Sequence, residues 1–307
     1  MKWLALILLV ISAKSFAQMN MSFAMRGYPT LRCQPTTLSS WVPQANSLKA
    51  IYHLNGTGTI TNGSVVASEI ALANATATNS SATLAFADHP GAPNGIAFLR
   101  NYLTASGNAN DSISTSATSL ANLPAATWNF WVNMSIPSST AIRLFYKSDN
   151  NSSAGYYLTL NPSGSFDFRK VHSVTNMVVQ TCPIATSFNN TWRMITVTWD
   201  GTSNANGVKI YMNGFELITT GSGSVYLSSP GTCPNAGTYG GYTYQTAGVG
   251  GFTSDAAYPF YLVGAPSGTN TTPTSIAFSG SMDEFAVWNK ELTSTEVFML
   301  YRNQKCN

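Results

Sequence analysis

Short apolar-rich runs recur from residue 48 onward, separated by Gly, Pro, Asn and Asp; Thr127 to Val132 alternates well, and residues two apart share a face of a strand. The clearest are Leu48 to Gly56, Ile96 to Leu103, Thr127 to Val132, Ile142 to Tyr146, Tyr156 to Leu160 and Ser165 to Val171. Asn161 to Gly164 marks a turn between the last two. A hairpin is expected over Met194 to Ile218, with Asn213-Gly214 as its two-residue turn. Phe260 to Gly264 reads as a further strand. Gly280 to Arg302 then joins two patterns. Met282, Ala286 and Trp288 share one face with Glu284, while Phe285 and Val287 share the other with Asp283. Apolar groups on both faces predict a strand covered on both sides. The residues that follow carry a helix start: Thr293 as N-cap, Glu296 closing a capping box, and Leu292 with Val297 as a hydrophobic staple. Val297, Leu300 and Tyr301 fall on one helix face, and Arg302 and Lys305 suit its negative end. Regular short strands predict an all-β sandwich with a short C-terminal helix.

Beyond the small-residue stretch Thr57 to Asn94, which reads as short strands and loops, two regions depart from this pattern. Residues 1 to 17 form a basic Lys2, an apolar run from Trp3 to Ala13 and a small-x-small Ser15-Phe16-Ala17, the layout of a cleaved signal peptide. The run is short for a membrane span, so an exported mature chain with no transmembrane segment is expected, placed outside the cell, at its surface or in the periplasm. Residues 18 to 47, with Pro29, Pro35 and Pro43, read as a lead-in, and 48 to 307 as one domain. The other break is Gly221 to Pro259, an insertion rich in Gly and Ser that carries Tyr226, Tyr239, Tyr242, Tyr244, Phe252 and Tyr258.

The strand-helix run at Gly280 to Arg302 closely resembles the C-terminal signature of LamG-like jelly-roll domains, in the concanavalin A-like lectin/glucanase superfamily. There a Gly-x-Ile-Asp-Glu-Val strand leads into a Leu-Ser-x-x-Glu-Ile helix. Met282 stands for the isoleucine, Phe285 for the valine, Thr293 for the serine and Val297 for the last isoleucine. Trp192, Thr196 to Gly201 and Val208 to Gly214 resemble the family's second hairpin, with Asn213 in place of an Asp. The resemblance covers roughly Leu48 to Arg302 and implies a concanavalin A-like jelly-roll β-sandwich. It also implies a place for one structural Ca2+, with Asp283 on the last strand and Asn55 or the Gly56 carbonyl from the first; Asn55 stands where the family often has Asp. Calcium takes several oxygen ligands, which these residues would supply.

Composition narrows the function. Charged residues make up 9% of the chain and the net charge of +3 falls to about +1 without Lys2 and Lys14, so no basic field favours nucleic acid. Four cysteines in an exported chain imply disulfides. The pairing Cys33–Cys306 is favoured because the end strands of this jelly roll are usually neighbours, which leaves Cys182–Cys233. Glycoside hydrolysis needs two facing carboxylates. The Glu-x-Asp-x-x-Glu strand of the superfamily's glucanases and the Gln-x-His strand of its lyases are both missing from the sequence. Asp167 to His172 gathers acid, base and imidazole, but reads as a solvated strand face. The tyrosine-rich insertion combines rings with neutral hydrogen-bonding groups, the composition of a sugar site. Trp128, Trp131, Trp192, Trp199 and Trp288 read as packing residues. The expectation is a non-enzymatic lectin-like module for a glycan or surface ligand. The alternatives are an adhesive or structural surface protein acting through protein contacts and an unrecognised carbohydrate-active enzyme.

Overall fold

The computed structural model describes residues 42–54, 58–70, 73–78, 84–88, 101–106, 111–116, 118–148, 154–184, 188–217, 242–263 and 278–304. In chain order the strands are β1 (Leu48–Tyr52), β2 (Gly58–Thr59), β3 (Val65–Val66), β4 (Ala75–Thr78), β5 (Leu84–Asp88), β6 (Asn101–Ser106), β7 (Ser112–Thr115), β8 (Ala126–Asn133) and β9 (Ile142–Ser148). They continue as β10 (Gly155–Leu160), β11 (Phe166–Lys170), β12 (Met177–Thr181), β13 (Arg193–Trp199), β14 (Val208–Met212), β15 (Phe215–Glu216), β16 (Tyr242–Thr246), β17 (Tyr261–Val263) and β18 (Ser279–Trp288), before helix α1 (Ser294–Gln304).

They build two nine-stranded antiparallel sheets. One runs β15-β14-β13-β8-β18-β6-β5-β2, with β1 added against β18, and the other runs β16-β12-β11-β10-β9-β17-β7-β4-β3. The expected strands from residue 126 onward are present within a residue or two of their expected ends. The hairpin turns at Asn213-Gly214, where both residues have positive φ (53° and 81°), as a tight two-residue turn requires.

The first sheet is apolar on both faces, which is why its strands read as nearly continuous hydrophobic runs. Between the sheets lies a core of rings. Trp128 stacks on Phe145 at 5.2 Å and Phe130 on Phe285 at 5.3 Å, with Tyr156, Phe168 and Phe260 around them. On the sheet's outer face Ile51, Trp131, Met194, Tyr211 and Trp288 pack against Leu292, Val297 and Leu300 of the helix and its lead-in. The five core tryptophans are all buried. The capping box forms as expected: the Glu296 N–H donates to Thr293 Oγ1 at 3.3 Å and the Thr293 N–H to Glu296 Oε2 at 2.8 Å. The end of the lead-in docks here too, with Val42 buried and Trp288 Nε1 donating to the Pro43 carbonyl at 2.9 Å.

One face assignment is corrected. Met282 joins Phe285 and Val287 in the inner core, not Ala286 and Trp288 outside. The cause is a bulge. Between Asp283, opposite Trp131, and Ala286, opposite Asn129, β18 carries one residue more than β8, and Glu284 takes φ 50°. An extra residue reverses the alternation beyond it.

Of the cysteines, Cys182 is described and buried. Cys33, Cys233 and Cys306 lie outside the described residues, and with them both expected pairings. So do residues 1 to 41, which include the expected signal peptide. Among the described residues no helix is long and apolar enough to cross a membrane.

Candidate functional site

At one end of β8 and β9 the connection 133–142 folds back beside the start of β18 and encloses an open groove of about 630 Å³. Asn133, Ser135, Ser138, Ser139, Thr140, Asn190, Ser279 and Ser281 line it, with Met134, Ile136, Pro137, Ala141 and Ile142 between them. No charged side chain and no aromatic ring is among the lining residues. Local bonds hold its wall: the Ile136 N–H donates to Asn189 Oδ1 at 2.8 Å, Ser135 Oγ to Asn190 Oδ1 at 3.1 Å, and the Asn190 N–H to the Met134 carbonyl at 3.1 Å. Gly280 (φ 148°) lets β18 pass close, because a Cβ there would stand 2.7 Å from the Asn133 carbonyl oxygen and from Met134 Cβ. Hydroxyls and amides donate and accept without charge, and the aliphatic patches between them offer dry contact to C–H surface. The groove thus matches a neutral, hydroxyl-dense ligand. Its residues come from three separate stretches, so no contiguous motif marks it; the run Ser135 to Thr140 is its only local trace in the sequence.

The opposite end of β8 and β9 is closed. Residues 247–259 run from β16 to β17 as a strap across the sandwich mouth, tied by bridges Thr175–Val249 and His172–Phe252. Beneath it Lys147, Tyr156 and Lys170 form one cross-strand row over β9, β10 and β11. Lys147 and Lys170 are both buried. This corrects the reading of Asp167 to His172 as a solvated face: Lys170 and His172 turn inward beneath the strap, while Asp167 and Arg169 pair on the outer side at 2.9 Å. Lys147 Nζ donates to the Tyr258 carbonyl at 2.5 Å. Burial lowers the Lys147 pKa to about 8 and also lowers Lys170, against the charge of Asp255. Burial lowers His172 as well.

A third cluster lies at the β18 bulge. Both oxygens of the buried Glu284 stand 2.9 Å from His53 Nδ1, and His53 Nε2 is 2.8 Å from Glu69. Burial opposes the charge on His53, but the hydrogen bonds and charges of Glu284 and Glu69 outweigh it and raise its pKa to about 9. Asp283 is fully buried; its Oδ1 accepts the Glu284 N–H at 2.9 Å and its Oδ2 has no hydrogen-bond partner. Burial, then the charge of Glu284, pushes the Asp283 pKa well up. An orphaned buried carboxylate oxygen suits one ligand position of a hard cation. Asn55 and Gly56, the other expected ligands, lie outside the described residues. No group of three or more His, Cys, Asp or Glu that could hold a metal occurs among the described residues.

The ring-bearing insertion is divided. Tyr226 and Tyr239 lie outside the described residues, and Tyr242 and Tyr244 belong to edge strand β16, their side chains likewise outside them. Phe252 and Tyr258 belong to the strap. Phe252 stays half exposed while packing on His172 at 4.5 Å and Trp199 at 5.3 Å.

This architecture is a concanavalin A-like jelly roll. A family model of the concanavalin A-like lectin/glucanases superfamily matches residues 106–240. No curated protein matches the chain in sequence. Among solved structures, the binding domain of botulinum neurotoxin serotype D/C superposes with a TM-score of 0.51 at 12% identity, over 85% of this chain and 53% of that one. The serotype D binding domain gives 0.50 at 11%, over 83% and 51%. The binding domain of Paraclostridial Mosquitocidal Protein 1 gives 0.50 at 13%, over 83% and 52%. The chain spans about half the length of these structures, and the likeness is one of fold.

Proposed function

We propose that the chain is an exported, non-enzymatic lectin-like module that binds a neutral glycan in the groove between residues 133–142 and the start of β18. The observation that carries this reading is the lining: hydroxyls, amides and aliphatic carbon, without charge. A fold hosts many functions, so the site bears the argument. That the similar solved structures are named as binding domains agrees with it. A structural Ca2+ at Asp283, export through residues 1 to 17 and disulfides among the four cysteines belong to the same proposal.

The test is a glycan array with the chain from Gln18 onward, run in calcium and in EDTA, beside the Ser139→Arg variant. Binding to neutral glycans that the variant loses supports the groove. Binding that Ser139→Arg leaves intact moves the site elsewhere, and no binding by folded protein overturns the lectin reading. Calcium should raise Tm in wild type and not in Asp283→Asn; equal behaviour removes the ion from the proposal.

A second reading, adhesion through protein contacts, rests on the exposed Val174 (73%), Val249 (51%) and Phe252 (47%) around the strap tip. Contiguous apolar surface of this kind marks interaction sites.

A further inference from the structure

The closed end of the sandwich holds a pair of groups that glycan binding does not use. Lys170 Nζ and Asp255 Oδ2 are 3.7 Å apart, with side-chain exposures of 4% and 0%. They are close but not hydrogen-bonded, and Asp255 Oδ2 has no hydrogen-bond partner. A buried ion pair whose facing atoms share no hydrogen bond recovers little of the cost of taking two charges out of water. The surroundings are dry and aromatic: the ammonium lies 5.3 Å from the Tyr156 ring, 5.4 Å from Trp199 and 5.6 Å from Phe252. The carboxylate is held in place from the other side. Asp255 Oδ1 accepts the Asn122 N–H at 2.7 Å, and the Asp255 N–H donates back to Asn122 Oδ1 at 3.2 Å.

We propose that Lys170 and Asp255 are a self-modification site, joined by an amide bond between the lysine Nζ and the aspartate Cγ. The atoms balance without any oxidant, reductant or activating group. A proton passes from the ammonium, whose charge burial disfavours, to Oδ2, the atom that faces it at 3.7 Å. The Nζ lone pair adds to Cγ. Negative charge develops on Oδ1, which the Asn122 backbone N–H already faces, as a donor in an oxyanion hole does. The Cγ–Oδ2 bond then breaks, and Oδ2 leaves as water with that proton and one from the nitrogen. Fixed neighbours replace the collision that such a reaction needs in solution. In water the ionised reactants are solvated and amide formation is held back; here burial disfavours the Lys170 ammonium and the released water leaves for bulk. The product removes both buried charges and staples the strap 247–259 to β11.

Mass spectrometry of the full chain, denatured and reduced, tests this. The expected mass is one water below that of the otherwise identical uncrosslinked chain, and digestion should yield one branched peptide carrying residues 170 and 255. Trypsin should fail to cut after Lys170. Lys170→Arg and Asp255→Ala should each abolish the branched peptide and the water loss. Asp255→Asn should form the same amide with release of ammonia. A linear peptide ending at Lys170, recovered in full yield from folded wild type, overturns the proposal. So does a water loss that persists in Lys170→Arg.

Discussion

The two ends of strands β8 and β9 are built on opposite principles. At Asn133 and Ile142 the sandwich is open and lined by neutral hydroxyls and amides. At Ala126 and Lys147 it is shut by a strap, and the charges beneath it are withdrawn from water. Neutral polar groups can stay exposed at little cost and exchange water for a ligand's hydroxyls. Buried charges must be matched by fixed partners or they destabilise the fold. The open end is therefore suited to reversible binding, and the closed end to holding a loop in one place.

Four measurements break or sharpen that contrast. Asp255→Ala removes the group that ties the strap to β11 and leaves Lys170 buried without its carboxylate, and should cost about 3–5 kcal/mol in urea unfolding; a cost below ~1 kcal/mol would mean that the Lys170–Asp255 pair does not hold the closed end. Ser139→Arg at the open end should weaken glycan binding about tenfold or more, roughly 1.4 kcal/mol, while leaving the unfolding midpoint within the small range typical of surface changes.

The third measurement concerns pH. The folded pKa of Lys147, about 8, lies below the unfolded value of 10.5. Between them the unfolded chain binds more protons, so stability should rise with pH through that window by at most about 1.4 kcal/mol per pH unit. Titrated unfolding of Lys147→Met should lack this rise. The smallest effect is that of Phe252→Ala, which should cost about 1 kcal/mol through its lost contacts with His172 and Trp199. If glycan binding falls instead and stability does not, Phe252 anchors the ligand and the open end is not the site.

Much of the architecture is legible in the sequence. Thr293 and Glu296 announce the helix because a capping box is a local bond pattern. Asn213-Gly214 announces its turn because few residues accept positive φ. The double-sided strand at Met282 to Trp288 is legible for a similar reason, since burial on each face leaves its own apolar set. The bulge at Glu284 is not: nothing local says that one residue will be left over against β8, and that one residue moves Met282 to the other core. The insertion shows the same limit. Its rings stand out in the sequence, yet 242–246 pairs as an edge strand and Phe252 becomes part of a strap.

The sequence by itself determined an all-β sandwich, its hairpin, its capped helix and its buried tryptophans, because strand patterns, turn chemistry and caps act over a few residues, and the jelly-roll form followed from its resemblance to the LamG-like family. Only the tertiary structure decided where chemistry gathers. The groove draws on residues 133–142, 190 and 279–281. The Lys170–Asp255 pair joins positions 85 residues apart, and His53 meets Glu284 across 231. Such encounters are set by strand order and register, which depend on the sum of packing over both sheets and are written in no single stretch of the chain.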